Sequence, residues 1–220
     1  MSILQTIAKP NTTVLNLFEN NRLTSEGNNL NLGIIGTVPF VTSPAPPIGT
    51  YAAGPFNDLN HFLTVLPTFG GQNFLNAISN WNEMTVELYV YFNTLSNFHI
   101  VMGMSASNGD FLIQEFADGR LRFSYAGTFT DTASPVVTTG AWYHIAAIFS
   151  PNGNKLFASL ASSISQTPVI SVAGTSPPDT VNDYRVGVYY LGGGITLDGY
   201  IDEITISNID RSNNLPTRHV

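Results

Sequence analysis

Nowhere in the chain do apolar residues keep helical spacing for more than two turns. Short runs rich in Val, Ile, Phe, Tyr and Thr instead recur between clusters of Gly, Asn, Asp, Ser and Pro. Roughly a dozen such runs, about 8–15 residues apart, cannot build a helical core and demand paired strands. Their number predicts an all-β sandwich of two sheets. The best candidate for even one helical turn is Phe74-Leu75-Asn76-Ala77-Ile78.

Two turns can be read directly. Ala117-Asp118-Gly119 separates Phe111–Phe116 from Arg120–Tyr125, and Asn152-Gly153-Asn154 separates the run ending at Phe149 from Lys155–Leu160. Asp-Gly and Asn-Gly tolerate the positive φ that tight hairpins need. Pro39, Pro44, Pro46 and Pro47 remove backbone donors, so residues 39–47 read as a loop or polyproline-like connector. Thr12–Phe18 is the first convincing strand, and Arg185–Tyr190 reads as the penultimate one.

The last strand is the run Gly199-Tyr200-Ile201-Asp202-Glu203-Ile204-Thr205-Ile206-Ser207-Asn208. A strict period of two puts Tyr200, Asp202, Ile204 and Ile206 on one face, with Ile201, Glu203, Thr205 and Ser207 on the other. A carboxylate at Asp202 beside two isoleucines needs hydrogen-bond partners, so it is expected to tie a neighbouring loop or turn.

This run resembles the closing strand of laminin-G-like domains, within the concanavalin A-like lectin/glucanase group. Two other stretches are similar to strands of that family in the right order: Met84–Phe92, with Tyr89 where Trp is usual, and Thr139–Phe149, with its Gly-x-Trp-x-His-Ile-Ala pattern. Asn208 to Val220 resembles the family's "Ile-Ser-Asn-x-x-Arg" ending, with Arg211 at the Arg position. The familiar "Tyr-x-Asp-Gly" hairpin is absent and Ser159 to Thr167 stands in its place. The resemblance implies a two-sheet antiparallel jelly-roll sandwich. The expected division is an extended N-terminal arm over residues 1–12, a laminin-G-like jelly-roll domain over 13–212 and a C-terminal tail over 213–220.

Composition narrows the function. Charged residues make up 10% of the chain, against about 25% in ordinary globular proteins. Such a surface suits a protein packed against other subunits. The net charge is −7 with two lysines, Lys9 and Lys155, so neither nucleic acid nor an anionic membrane is an expected partner. Without cysteine there is no disulfide, thiolate metal site or cysteine nucleophile. The first ten residues lack the pattern of a secretory signal, and no run approaches the ~20 apolar residues of a membrane span.

No catalytic residue is assigned. Glycosidases of this fold carry a Glu-x-Asp-x-x-Glu run that sets acid and nucleophile roughly 5 Å apart; here Asp202 and Glu203 are adjacent and alternate in facing. The four histidines, His61, His99, His144 and His219, are scattered, and His144 reads as a buried core residue beside Trp142, Ala146 and Ile148. Gly192-Gly193-Gly194 reads as a turn, since no helix follows to cradle phosphate. Calcium would need several oxygen ligands to converge; Asp110, Asp131, Asp179, Asp183 and Asp198 are the loop acids available, and solvated acids are the expectation. Tyr51, Tyr89, Tyr91, Tyr125, Tyr189 and Tyr190 could face a sugar or simply pack across strands. Asn11-Thr12-Thr13 fits a glycosylation acceptor only in a secreted chain.

The expected role is therefore a non-catalytic structural protein of a virus particle: a bacteriophage capsid-decoration (cement) or tail-associated subunit. It would be made in the host cytoplasm, located in the virion and work as a homo-oligomer bound to other virion proteins. The alternative is a carbohydrate-binding module or lectin with a glycan partner, possible calcium assistance and no other cofactor.

Overall fold

The computed structural model describes residues 12–19, 22–27, 32–56, 59–65, 81–96, 98–175, 177–189 and 196–215. Residues 1–11 of the arm expected over 1–12, the turn at Phe74–Ile78, Tyr190, the Gly192–Gly194 turn and His219 lie outside them; Thr12 is the first residue of a strand.

The described residues form strands and no helix. In chain order these are β1 (Thr12–Glu19), β2 (Arg22–Gly27), β3 (Leu32–Ile35), β4 (Phe40–Val41), β5 (Ala52–Ala53), β6 (Phe62–Val65), β7 (Met84–Phe92) and β8 (His99–Ala106). There follow β9 (Gly109–Glu115), β10 (Leu121–Tyr125), β11 (Thr128–Asp131), β12 (Trp142–Phe149), β13 (Asn154–Leu160), β14 (Ile170–Val172), β15 (Val181–Val186) and β16 (Gly199–Ser207). They pair antiparallel in two sheets. The larger runs β14-β13-β12-β7-β16-β1-β2, with β5 also paired to β16 and β4 to β5; the smaller runs β11-β10-β9-β8-β15-β6-β3. The all-β antiparallel sandwich expected from the sequence is the fold observed.

Both legible hairpins form. Gly119 takes φ 82° between β9 and β10, and Gly153 takes φ 145° between β12 and β13. The prolines leave β4 only two residues long. The penultimate strand ends at Val186, four residues before Tyr190. Gly187 turns there with φ 85°, and the Phe56 ring occupies the place of any Cβ.

Aromatic rings join the sheets. Phe149 of β12 lies 5.0 Å from Phe111 of β9 and 5.2 Å from Phe123 of β10, centroid to centroid. Met84, Val86, Leu88, Val90 and Phe92, alternate residues of β7, fill the same core.

The other face of β7 is also buried: Thr85, Glu87 and Tyr89 are almost wholly covered, Glu87 being 2% exposed. A second layer of chain closes that side. The segment after β16 crosses it: Thr85 Oγ1 donates to the Ile209 carbonyl at 2.7 Å, and the Arg211 amide donates back to Thr85 Oγ1 at 3.2 Å. Leu215 completes a separate apolar cluster with Ala146, Ile148 and Phe157. Arg211, matched in sequence to the family's terminal Arg, is buried here and donates from Nε to Ser207 Oγ at 2.7 Å. Burial lowers its guanidinium from the ordinary value, against the pull of the Glu87 carboxylate.

Strand β16 departs from strict alternation. A bulge falls between Asp202, opposite Tyr89, and Thr205, opposite Glu87, where Glu203 takes φ 38°. The extra residue shifts the phase. Ile201, Ile204 and Ile206 thus all join the main core. Asp202 lies on the opposite face from Ile204 and Ile206, correcting the period-of-two reading. Its expected task stands: Oδ2 accepts the Ile48 amide at 3.0 Å, tying down the end of the proline-rich loop, and Oδ1 accepts the Glu203 amide at 2.9 Å within the bulge.

Candidate functional site

Because β7 runs antiparallel to both β12 and β16, its beginning and their ends meet at one rim. Trp81, Asn82 and Glu83 precede β7, Pro151 and Asn152 form the turn after β12, and Asn208 follows β16. Together they line a cleft of about 520 Å³.

Trp81 is half-buried and packs against the main core, which fixes its indole. Glu83 ties the three segments together. Its Oε1 accepts from Ser150 Oγ at 3.2 Å and from Asn152 Nδ2 at 3.5 Å, while Oε2 accepts the Asp210 amide at 3.1 Å. The β12–β13 turn has its own bracing. Ser150 Oγ accepts the Asn152 amide at 3.2 Å, Asn154 Oδ1 accepts the Ser150 amide at 3.1 Å, and Asn154 Nδ2 donates to Thr175 Oγ1 at 2.8 Å. Gly174 packs so closely beneath Pro151 that a Cβ would fall 2.0 Å from the Pro151 carbonyl oxygen. The turn is built in place before any ligand arrives. Asn82, Asn152 and Asn208 stay exposed around the mouth. The cleft thus offers an indole, three side-chain amides and one immobilised carboxylate: an apolar face with neutral donors and acceptors around it, the equipment for holding a polyhydroxylated ring.

At the opposite rim a smaller cleft of about 320 Å³ is lined by Pro47, Ala141, Trp142, Leu160, Ala161 and Ser162. Beside it Trp142, Tyr91 and Tyr200 stand opposite one another on β12, β7 and β16, with ring centroids 5.6 and 6.0 Å apart. These contacts are the cross-strand packing expected of strand aromatics.

The residues singled out from sequence do not gather into one site. Tyr89 is buried against His144 at 5.1 Å, and Tyr125 belongs to the smaller sheet and shares a hydrogen bond with Thr130 at 3.0 Å. His144 is buried beside Ala146 and Ile148, as expected, with Nε2 4.0 Å from Glu87 Oε2. His99 Nδ1 lies 2.9 Å from Glu115. Of the acids considered for calcium, Asp183 lies within β15 and not in the expected loop, and grips Arg185; Asp131 ends β11 and grips Arg122; Asp198 accepts from Asn93 and Thr94. Among the described residues no three His, Cys, Asp or Glu side chains come close enough to hold a metal ion.

Sequence reasoning missed the Trp81 cleft because its three segments are far apart in the chain. The readable signal was positional: a Trp-Asn-Glu before one strand, Pro-Asn in a hairpin and Asn just past the last strand all fall on one rim once the antiparallel neighbours are known.

Residues 71–214 match the family model described as the concanavalin A-like lectin/glucanases superfamily. The chain belongs to this superfamily. Among curated protein sequences none matches the chain. Solved structures give this member of the concanavalin A-like superfamily its company. The fourth domain of an extracellular GH43 arabinanase from Geobacillus stearothermophilus, determined with arabinotriose, has a TM-score of 0.63 at 18% identity, over 89% of this chain and 91% of that one. The Trypanosoma rangeli sialidase, determined with sialic acid, has a TM-score of 0.66 at 12% identity, over 93% of this chain; the chain spans only 32% of that enzyme. The binding domain of botulinum neurotoxin DC, in complex with SialylT, has a TM-score of 0.59 at 11% identity, over 92% of this chain and 49% of that one. At such identities the likeness is one of fold.

Proposed function

We propose that this chain is a non-catalytic carbohydrate-binding module whose ligand sits in the Trp81 cleft. The observation that carries the reading is the make-up of that cleft: one fixed indole ringed by Asn82, Asn152 and Asn208 on a braced turn. Sugar-bound neighbours of the same fold support it by analogy. Lack of catalysis is supported by the sequence, which has no strand run of alternating acids, and by Glu83, whose two oxygens are engaged in bracing the cleft. Binding by this route needs no metal.

The test is affinity electrophoresis and calorimetry of the purified chain against a panel of neutral and acidic oligosaccharides. Trp81→Ala is expected to weaken binding at least tenfold, and a chelator to leave it unchanged. No glycan binding, or binding indifferent to Trp81→Ala, sinks the reading.

A second reading keeps the chain as a homo-oligomeric subunit of a bacteriophage capsid or tail. One observation favours it: Phe129, 57% exposed on edge strand β11, lies beside Arg122, whose guanidinium is 4.0 Å from the ring centroid. Aromatic residues and arginine are favoured at protein interfaces. None of the neighbours named above is a virion protein. Light scattering on the chain and on Phe129→Ser decides: a defined oligomer that dissociates on substitution favours the subunit, and a monomer removes it.

A further inference from the structure

The carboxylate in the cleft does more than brace it. Glu83 is the only charged side chain among the described residues lining the cleft, and none of those residues is basic. Two nearby cations among the described residues are committed elsewhere. Lys155 Nζ donates to Ser212 Oγ at 2.9 Å and lies 3.5 Å from Asp210 Oδ2. Arg211 is buried, with Nε donating to Ser207 Oγ. Asp210 adds a second acid behind Glu83, joined to it through its amide.

We infer that the cleft selects uncharged sugars and rejects acidic ones, with Glu83 as the residue that sets this specificity; the inference rests on the carbohydrate-binding reading above. The physical argument is one of unmatched charge. A carboxylate-bearing sugar would lose water and gain no cation, and would sit beside a negative charge that the fold cannot turn away. A neutral sugar loses nothing by comparison, because the side-chain amides of Asn82, Asn152 and Asn208 both donate to and accept from hydroxyls. The overall charge of −7 works in the same direction at long range.

The experiment titrates the chain with two neutral probes, arabinotriose and lactose, and two acidic ones, 3′-sialyllactose and trigalacturonic acid, at low and high ionic strength. The expected result is binding of a neutral probe at least tenfold tighter than of either acidic probe, with the gap narrowing as salt screens the repulsion. Glu83→Gln, which keeps the size and an acceptor oxygen, is expected to narrow the gap about tenfold. Should that variant lose its fold, the salt series on the unaltered chain still decides. Equal or tighter binding of an acidic probe, abolished by Trp81→Ala, overturns the inference and leaves the carbohydrate-binding reading intact. So does a preference that salt does not change. Failure of all four probes to bind overturns both.

Discussion

Asp202 and Ile48 stand 154 positions apart in the chain, and the carboxylate of one holds the backbone amide of the other at 3.0 Å. The same side chain caps the bulge of the last strand through the Glu203 amide. One buried acid therefore fastens a loop and fixes the phase of a central strand.

Asp202→Ala leaves two amides without their acceptor in a site only 1% exposed. The expected cost is about 2–4 kcal/mol, on the scale of charge-assisted hydrogen bonds lost with their partners left buried. Urea unfolding should show an earlier midpoint with little change in slope. A shift below ~0.5 kcal/mol would mean that water replaces the carboxylate.

Deleting Glu203 tests the bulge itself. Without the extra residue, strict alternation by itself keeps Ile201, Ile204 and Ile206 on the core face and Asp202 and Thr205 on the other. The expected outcome is a soluble variant that still unfolds cooperatively, destabilised only by what the bulge contributes. An insoluble or non-cooperative deletion variant would show that the bulge does more than set the phase.

That bulge marks how far the sequence can be read. The Asp118-Gly119 and Asn152-Gly153 hairpins were legible because a turn is written in adjacent residues. The faces of β16 were not, because the bulge is set by pairing with β7 and by the Ile48 contact, both remote in sequence. Likewise His144 was legible as buried, but nothing local revealed that residues 208–215 would cover Thr85 on the same side of the sheet. The strands were legible; the Trp81 cleft, made only by strand order, was not.

Tyr184 lies in the main core with its hydroxyl unpartnered among the described residues, and burial raises its phenol far above the ordinary 10.0. Removing an unsatisfied buried hydroxyl relieves a desolvation cost. Tyr184→Phe should therefore be neutral or stabilising by up to about 1 kcal/mol. Thermal unfolding checks it, and a loss above ~1 kcal/mol would reveal a hydrogen bond to the hydroxyl.

Burial raises the Glu115 carboxyl above its ordinary 4.5, outweighing the opposing bonds from His99 and the Ser96 amide. A raised folded-state value means that the native chain binds this proton more tightly than the unfolded one. Its contribution is full below the unfolded value and is lost as pH rises through the folded one. Stability measured relative to Glu115→Gln should accordingly fall as pH climbs from 4.5. A difference flat across that range would show that the His99 contact cancels the burial.

Leu215 is the clip of the outer apolar cluster. Leu215→Ala should cost about 2–3 kcal/mol, within the range for truncating a buried leucine. Amide exchange should quicken first at Arg211, whose amide donates to Thr85 Oγ1 from within the same covering segment.

The order of strands in the larger sheet has a bearing on birth as well as shape. β16, translated after the other strands of the described residues, lies between β7 and β1, and β1 has no sheet neighbours in the described structure except β16 and its hairpin partner β2. A nascent chain must carry the β1–β2 hairpin unmoored until β16 has been translated. Translation pauses before residue 199 should thus leave β1 and β2 open to chaperones or to strand exchange with sister chains.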